Sequence, residues 1–90
     1  MNAPLSLPVK MNTAAALQMV EDLRKIDGDF DLDASQSTSI GALCLQALVA
    51  ASRTAKASGV AFRLTGVSEA VETQMSVMGV TPKDLVESVI

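Results

Sequence analysis

Two short segments, Asp29-Phe30-Asp31-Leu32-Asp33 and Val60-Ala61-Phe62-Arg63-Leu64-Thr65, flank the long apolar stretch from Ile40 to Ser58, and together they decide the fold. In the first, Phe30 and Leu32 alternate with three aspartates, the period-two pattern of a strand with one buried side. In the second, Phe62 and Leu64 alternate with Arg63 in the same way. Between them, at about 100° per residue, Ile40, Cys44, Ala47, Leu48, Ala51 and Ala55 gather on one side of a helix. A strand, a core-facing helix and a second strand bring the two strands side by side in parallel through a right-handed crossover.

The rest of the chain extends this unit in both directions. Asn2 to Pro8 carries two prolines and no periodicity and reads as a loose lead into a short extended segment at Pro8 to Met11. Asn12 or Thr13 caps a helix from Ala14 to Ile26, with Ala16, Met19, Val20, Leu23 and Ile26 on one face and Gln18, Glu21 and Lys25 opposite. Asp27-Gly28 is a turn pair, and Ser35 to Ser39 forms a serine-rich loop before the long helix, which starts near Ile40. Gly59 stops that helix and Gly66 ends the following strand. Ser68 caps a third helix, in which Val71, Met75 and Met78 recur at helical spacing before Gly79. Thr81, Pro82 and Asp84 start a last short helix that frays towards Ile90. The expected class is α/β: a small, mainly parallel sheet with helices packed on it. One domain is expected over residues 1–90, ordered from about residue 8.

Composition narrows the function. Ninety residues hold ten acids, seven bases and no histidine. Without a basic cluster, phosphate-driven nucleic-acid binding has little to rest on. Cys44 is the single cysteine, so no disulfide forms within the chain, and a metal site has few ligands to draw on. No nucleotide-binding glycine loop occurs. The apolar run from Ala42 to Ala51 falls short of the roughly 20 residues of a membrane span, and residues 1–8 lack the pattern of a secretion signal. A cytoplasmic protein without cofactor, catalytic residues, nucleic-acid partner or membrane insertion is expected.

Three features are candidates for chemistry. Asp29, Asp31 and Asp33 share the outward side of their strand, where they are either solvated acids or a weak place for a divalent cation. Ser37, Thr38 and Ser39 precede the long helix, where they serve as caps or, since the positive end of a helix favours negative charge, as places for a phosphate. Ala42, Gln46, Val49 and Arg53 form an outward stripe at i, i+4, i+7 and i+11, with Ala50 at its edge. Small and apolar side chains there suit a docking surface, although folded surfaces are rich in apolar atoms anyway.

The whole pattern resembles the STAS domain of bacterial anti-sigma-factor antagonists. The resemblance rests on the strand and turn from Asp29 to Ser35, the helix opening Ile40-Gly41-Ala42-Leu43-Cys44-Leu45-Gln46-Ala47-Leu48, the stretch Gly59 to Ser68, and Met75 to Val80. It implies a STAS-like fold and a partner-binding surface made by Ser39, Gly41, Ala42, Gln46, Val49 and Arg53. The partner would be an anti-sigma kinase, a chemotaxis-type signalling protein or, in STAS-like subunits of lipid-transport complexes, an ABC ATPase. Two departures stand out. The family's first hairpin strand has no expected counterpart here. The family's phosphoacceptor position at the mouth of the long helix falls on Gly41-Ala42, which has no hydroxyl, leaving Ser37, Thr38 or Ser39 as substitutes.

Overall fold

The computed structural model describes residues 4–87, in the order β1 (Leu5–Ser6), β2 (Lys10–Met11), α1 (Thr13–Arg24), β3 (Phe30–Asp33), β4 (Ser39–Ile40), α2 (Ala42–Ser58), β5 (Phe62–Thr65), α3 (Glu69–Val77) and α4 (Pro82–Glu87). Strands β1, β3 and β5 form one parallel sheet in that order, and β2 and β4 form a second parallel pair. The strands of the larger sheet advance in one direction, and right-handed crossovers then put α1 and α2 on the same face. That face carries Phe30, Leu32, Phe62 and Leu64, with the two rings 6.0 Å apart on neighbouring strands. On the other face Asp31, Asp33, Arg63 and Thr65 are not buried, so the expected alternation holds and the molecule has two layers.

The core is aliphatic. Leu32, Cys44 and Ala55 are fully buried and Met11, Leu48, Val71 and Met75 nearly so. Helix α2 supplies Cys44, Leu45, Ala47, Leu48, Ala51, Ser52 and Ala55 to it. The Ser52 hydroxyl donates to the Leu85 carbonyl, which ties α4 to the far side of α2.

Several expected boundaries move. The stretch read as a loose lead contains β1, whose Leu5 and Ser6 lie opposite Leu32 and Asp33, and Leu7 is buried. Ordered structure therefore begins before residue 8. The Leu7 N–H then donates to the Asp33 carbonyl (2.8 Å), and beyond Pro8 the chain leaves β3 and pairs with the segment that leads into α2. Ile40 is not the first helical residue. It is the second residue of β4, and its N–H donates to the Gln74 side-chain carbonyl at 2.7 Å. Val60 and Ala61 are not in the last strand, because the Val60 N–H closes the end of α2 by donating to the Ala55 carbonyl (3.0 Å) with Gly59 left-handed at φ 74°. Helix α1 stops at Arg24, two residues before the expected end. The expected fraying at Ile90 lies outside the described residues.

Candidate protein-interaction surface

The β2–β4 pair builds the entrance to α2. Lys10 and Met11 lie beside Ser39 and Ile40, the Thr38 N–H donates to the Val9 carbonyl (2.7 Å), and the Gly41 N–H donates to the Met11 carbonyl (2.8 Å). The Cys44 thiol, one turn into the helix, donates to the Asn12 carbonyl at 3.3 Å, so α1 and α2 start side by side. Burial pushes the Cys44 thiol pKa up, which keeps it protonated and unreactive.

Gly41 is the N-cap of α2 and offers no side-chain bond to the first turn, which also has no acidic residue. Its φ of −104° is open to any residue, and an added Cβ would meet only the Met11 carbonyl at 3.5 Å, an ordinary contact. The backbone therefore does not demand glycine there. The first-turn N–H groups of α2 are left to solvent or to a partner.

The three hydroxyl candidates separate. Ser37 is 2% exposed and its hydroxyl donates to the Pro8 carbonyl at 2.8 Å, so a phosphate on it would require opening the β2–β4 entrance. This corrects its place among accessible phosphorylation candidates. Thr38 is exposed, with its hydroxyl donating to the Val9 carbonyl at 3.2 Å, and Ser39 is half-buried in β4.

The outward stripe also divides. Ala42, Gln46 and Arg53 are exposed, as is Ala50 at its edge, whereas Val49 is half-buried against the core and contributes to stability as well as to any surface. The structure adds two residues absent from the stripe, Leu43 at 50% exposure and Leu17 of α1 at 71%. They line opposite sides of the seam between the helices, where Ala16, Val20, Gln46 and Ala47 complete a shallow groove. Further along the seam the groove deepens over Phe30, Ala47, Ala50 and Thr54. Leu17 was hidden because it lies about 160° from Met19 around α1, outside the recognised apolar face. A large apolar side chain one helical step off the recognised face, about 60° from Val20, is the signal that could have found it.

The aspartates in and just before β3 do not converge. Asp29 faces Arg63 at 3.7 Å, while Asp33 accepts from the Ser35 N–H at 2.8 Å, and that bond together with the Ser35 hydroxyl holds its carboxyl below the usual range. Among the described residues no three His, Cys, Asp or Glu side chains are grouped as a metal ion would require. No helix among them is long and apolar enough to cross a membrane.

No curated protein and no solved structure matched the chain. A family model described as "Mlab, STAS domain" matches residues 5–87, from β1 through α4. That match spans the parallel sheet, the long helix with its open start and the two closing helices, and it supports a general regulatory or interaction role: the chain belongs to the STAS domain family.

Proposed function

We propose that this chain is a non-enzymatic regulatory module of the anti-sigma-factor-antagonist kind, acting as one domain and binding a signalling partner through the start and outward flank of α2. The observation that carries this reading is the combination at one place of an uncapped helix start with the exposed Ala42, Leu43 and Gln46. An exposed leucine next to backbone donors that no side chain caps suits a partner that supplies both apolar contact and acceptors. An anti-sigma kinase or a chemotaxis-type signalling protein fits, with Ser39, Gly41, Ala42, Gln46, Val49 and Arg53 as the contact set. Thr38 and Ser39, three and two residues before the Gly41 cap, are the hydroxyls best placed for a regulatory phosphate.

A second reading has its own support. Gly41-Ala42 offers no hydroxyl at the mouth of α2. A STAS-like accessory subunit bound to the ATPase of a lipid-transport ABC complex needs no such group.

The test is affinity capture from native lysate with tagged wild type and Ala42→Glu, identified by mass spectrometry. Recovery of a kinase or sigma regulator by wild type and its loss in the variant supports the signalling reading. Recovery of an ABC ATPase moves the assignment to the transporter subunit. Identical recovery by both proteins removes the start of α2 as the docking surface.

A further inference from the structure

The seam between α1 and α2 has a polarity along its length. At its N-terminal end Leu17 and Leu43 stand proud of the surface. At its C-terminal end a more enclosed hollow of about 270 Å³ lies over Val20, Phe30, Ala47, Ala50 and Thr54, with Arg24 on its wall. That space is enough for a leucine or phenylalanine side chain to sit on the edge of Phe30. Arg53 follows Ala50 by three residues and therefore stands beside it on α2. Arg24 and Arg53, both exposed, make no ion pair among the described residues. Arg24 lines the deep end itself, whereas Arg53 lies outside the lining on the exposed flank of α2 next to Ala50; Glu21, one turn before Arg24, is an exposed acid on α1.

The shape of the seam selects the occupant's conformation. Both walls are helices whose backbone groups bond within the helix, so the groove offers no strand edge to an extended peptide. An occupant must satisfy its own backbone, which a helix does. The distance from Leu17 to Arg24 along α1 is seven residues, about 10 Å, or two turns of an occupant helix. We propose that this groove binds an acidic amphipathic helix of a protein partner, with one large apolar side chain anchored over Phe30 and Ala50, further apolar side chains against Leu17 and Leu43, and carboxylates over Arg24 and Arg53. The inference rests on the reading of this flank as a partner surface and adds the chemistry of what docks there.

The test uses the full chain and a fluorescein-labelled helical peptide of about five turns, with leucines at i, i+3, i+4 and i+7 and glutamates on the flanking positions. Its counterpart has lysine for every glutamate. Fluorescence anisotropy at low salt is expected to show the glutamate peptide binding about tenfold tighter than the lysine peptide, because charge pairs become repulsions. Arg24→Glu with Arg53→Glu reverses the preference, and Ala50→Phe, which fills the deep end from an exposed position, abolishes binding while the far-ultraviolet circular dichroism is unchanged. Equal affinity for the two peptides, or binding unaffected by Ala50→Phe, overturns the proposal. So does a concentration-dependent dimer in sedimentation that Ala50→Phe abolishes while neither peptide binds, since the occupant is then a second copy. If lysate capture depends on Ala42 but the glutamate peptide neither binds nor competes, this inference fails and the reading of the α2 start survives.

Discussion

Helices α2 and α3 both follow a strand, yet their starts are held in different ways. The start of α3 is fastened. Gly66 turns left-handed at φ 73° directly over Ser35, Ser68 accepts from the Val71 N–H at 3.2 Å, and the Ser68 hydroxyl donates to the Ser37 carbonyl at 3.4 Å. The start of α2 has a glycine cap and no side-chain bond. Length explains the contrast. Helix α3 has 9 residues and buries Val71 and Met75, so it depends on its cap, whereas α2 has 17 residues and buries seven, so packing alone holds it. The opening of α2 is thus tied down through its backbone and the Cys44 thiol, and not through a side-chain cap.

The contrast breaks first where packing is removed. Leu48 is 1% exposed in the middle of α2, and Leu48→Ala is expected to cost about 2 to 5 kcal/mol through lost burial and the cavity left behind. Urea unfolding measures it, and a loss under about 1 kcal/mol would mean that α2 is not held by its buried face.

Next comes the turn that leads into α3. An added Cβ on Gly66 would lie 2.8 Å from the Ser35 Cβ and 2.9 Å from the Ser35 backbone nitrogen, and the positive φ strains any L side chain. Gly66→Ala is expected to cost about 1 to 3 kcal/mol by thermal or urea unfolding. Stability equal to wild type would show that the Ser35 loop yields freely and that α3 is not anchored there.

A pair of cap exchanges then sharpens the comparison directly. Ser68→Ala removes a used cap and should cost about 1 kcal/mol, while Gly41→Ser adds an unused one and should gain only a few tenths. The two differences are read in one set of urea curves, and equal and opposite values would show that α2 relies on its cap as much as α3 does.

What the sequence revealed follows the same division. The long periodic elements and the caps with a chemical signature were legible: Asn12, Ser68 and Thr81 all cap as expected, with Asn12 accepting from the Ala15 N–H at 3.1 Å and Thr81 exchanging bonds with Asp84. The two-residue strands were not, because so short a segment has no period and its partner is distant; Lys10 pairs with Ser39 across the whole of α1 and β3. Ile40 shows why. Its apolar side chain falls in phase with Cys44 and Leu48, so burial alone could not distinguish one more helical residue from the strand that precedes the helix. On the candidate surface the α2 stripe was visible from helical spacing, but the matching wall, Leu17, depends on how α1 and α2 pack together, which no local pattern encodes.

The smallest effect concerns Asp33, which grips the Ser35 N–H and so holds the loop on which Gly66 rests. Its folded carboxyl lies below the ordinary range because charge-stabilising bonds from Ser35 favour the ionised form. The sign follows from linkage: the contribution is complete above the unfolded value of about 3.9 and is lost as pH falls through the lower folded value. Asp33 lies on the solvent face of the sheet, so the effect is small and confined to acid. Urea midpoints taken from pH 7 down to pH 3 should fall for wild type and fall less steeply for Asp33→Asn, which carries no ionisable carboxyl at this position. Parallel curves for the two proteins would show that the Ser35 loop is held by Gly66 and Ser68 alone, placing the whole anchorage of α3 on its own side of the contact.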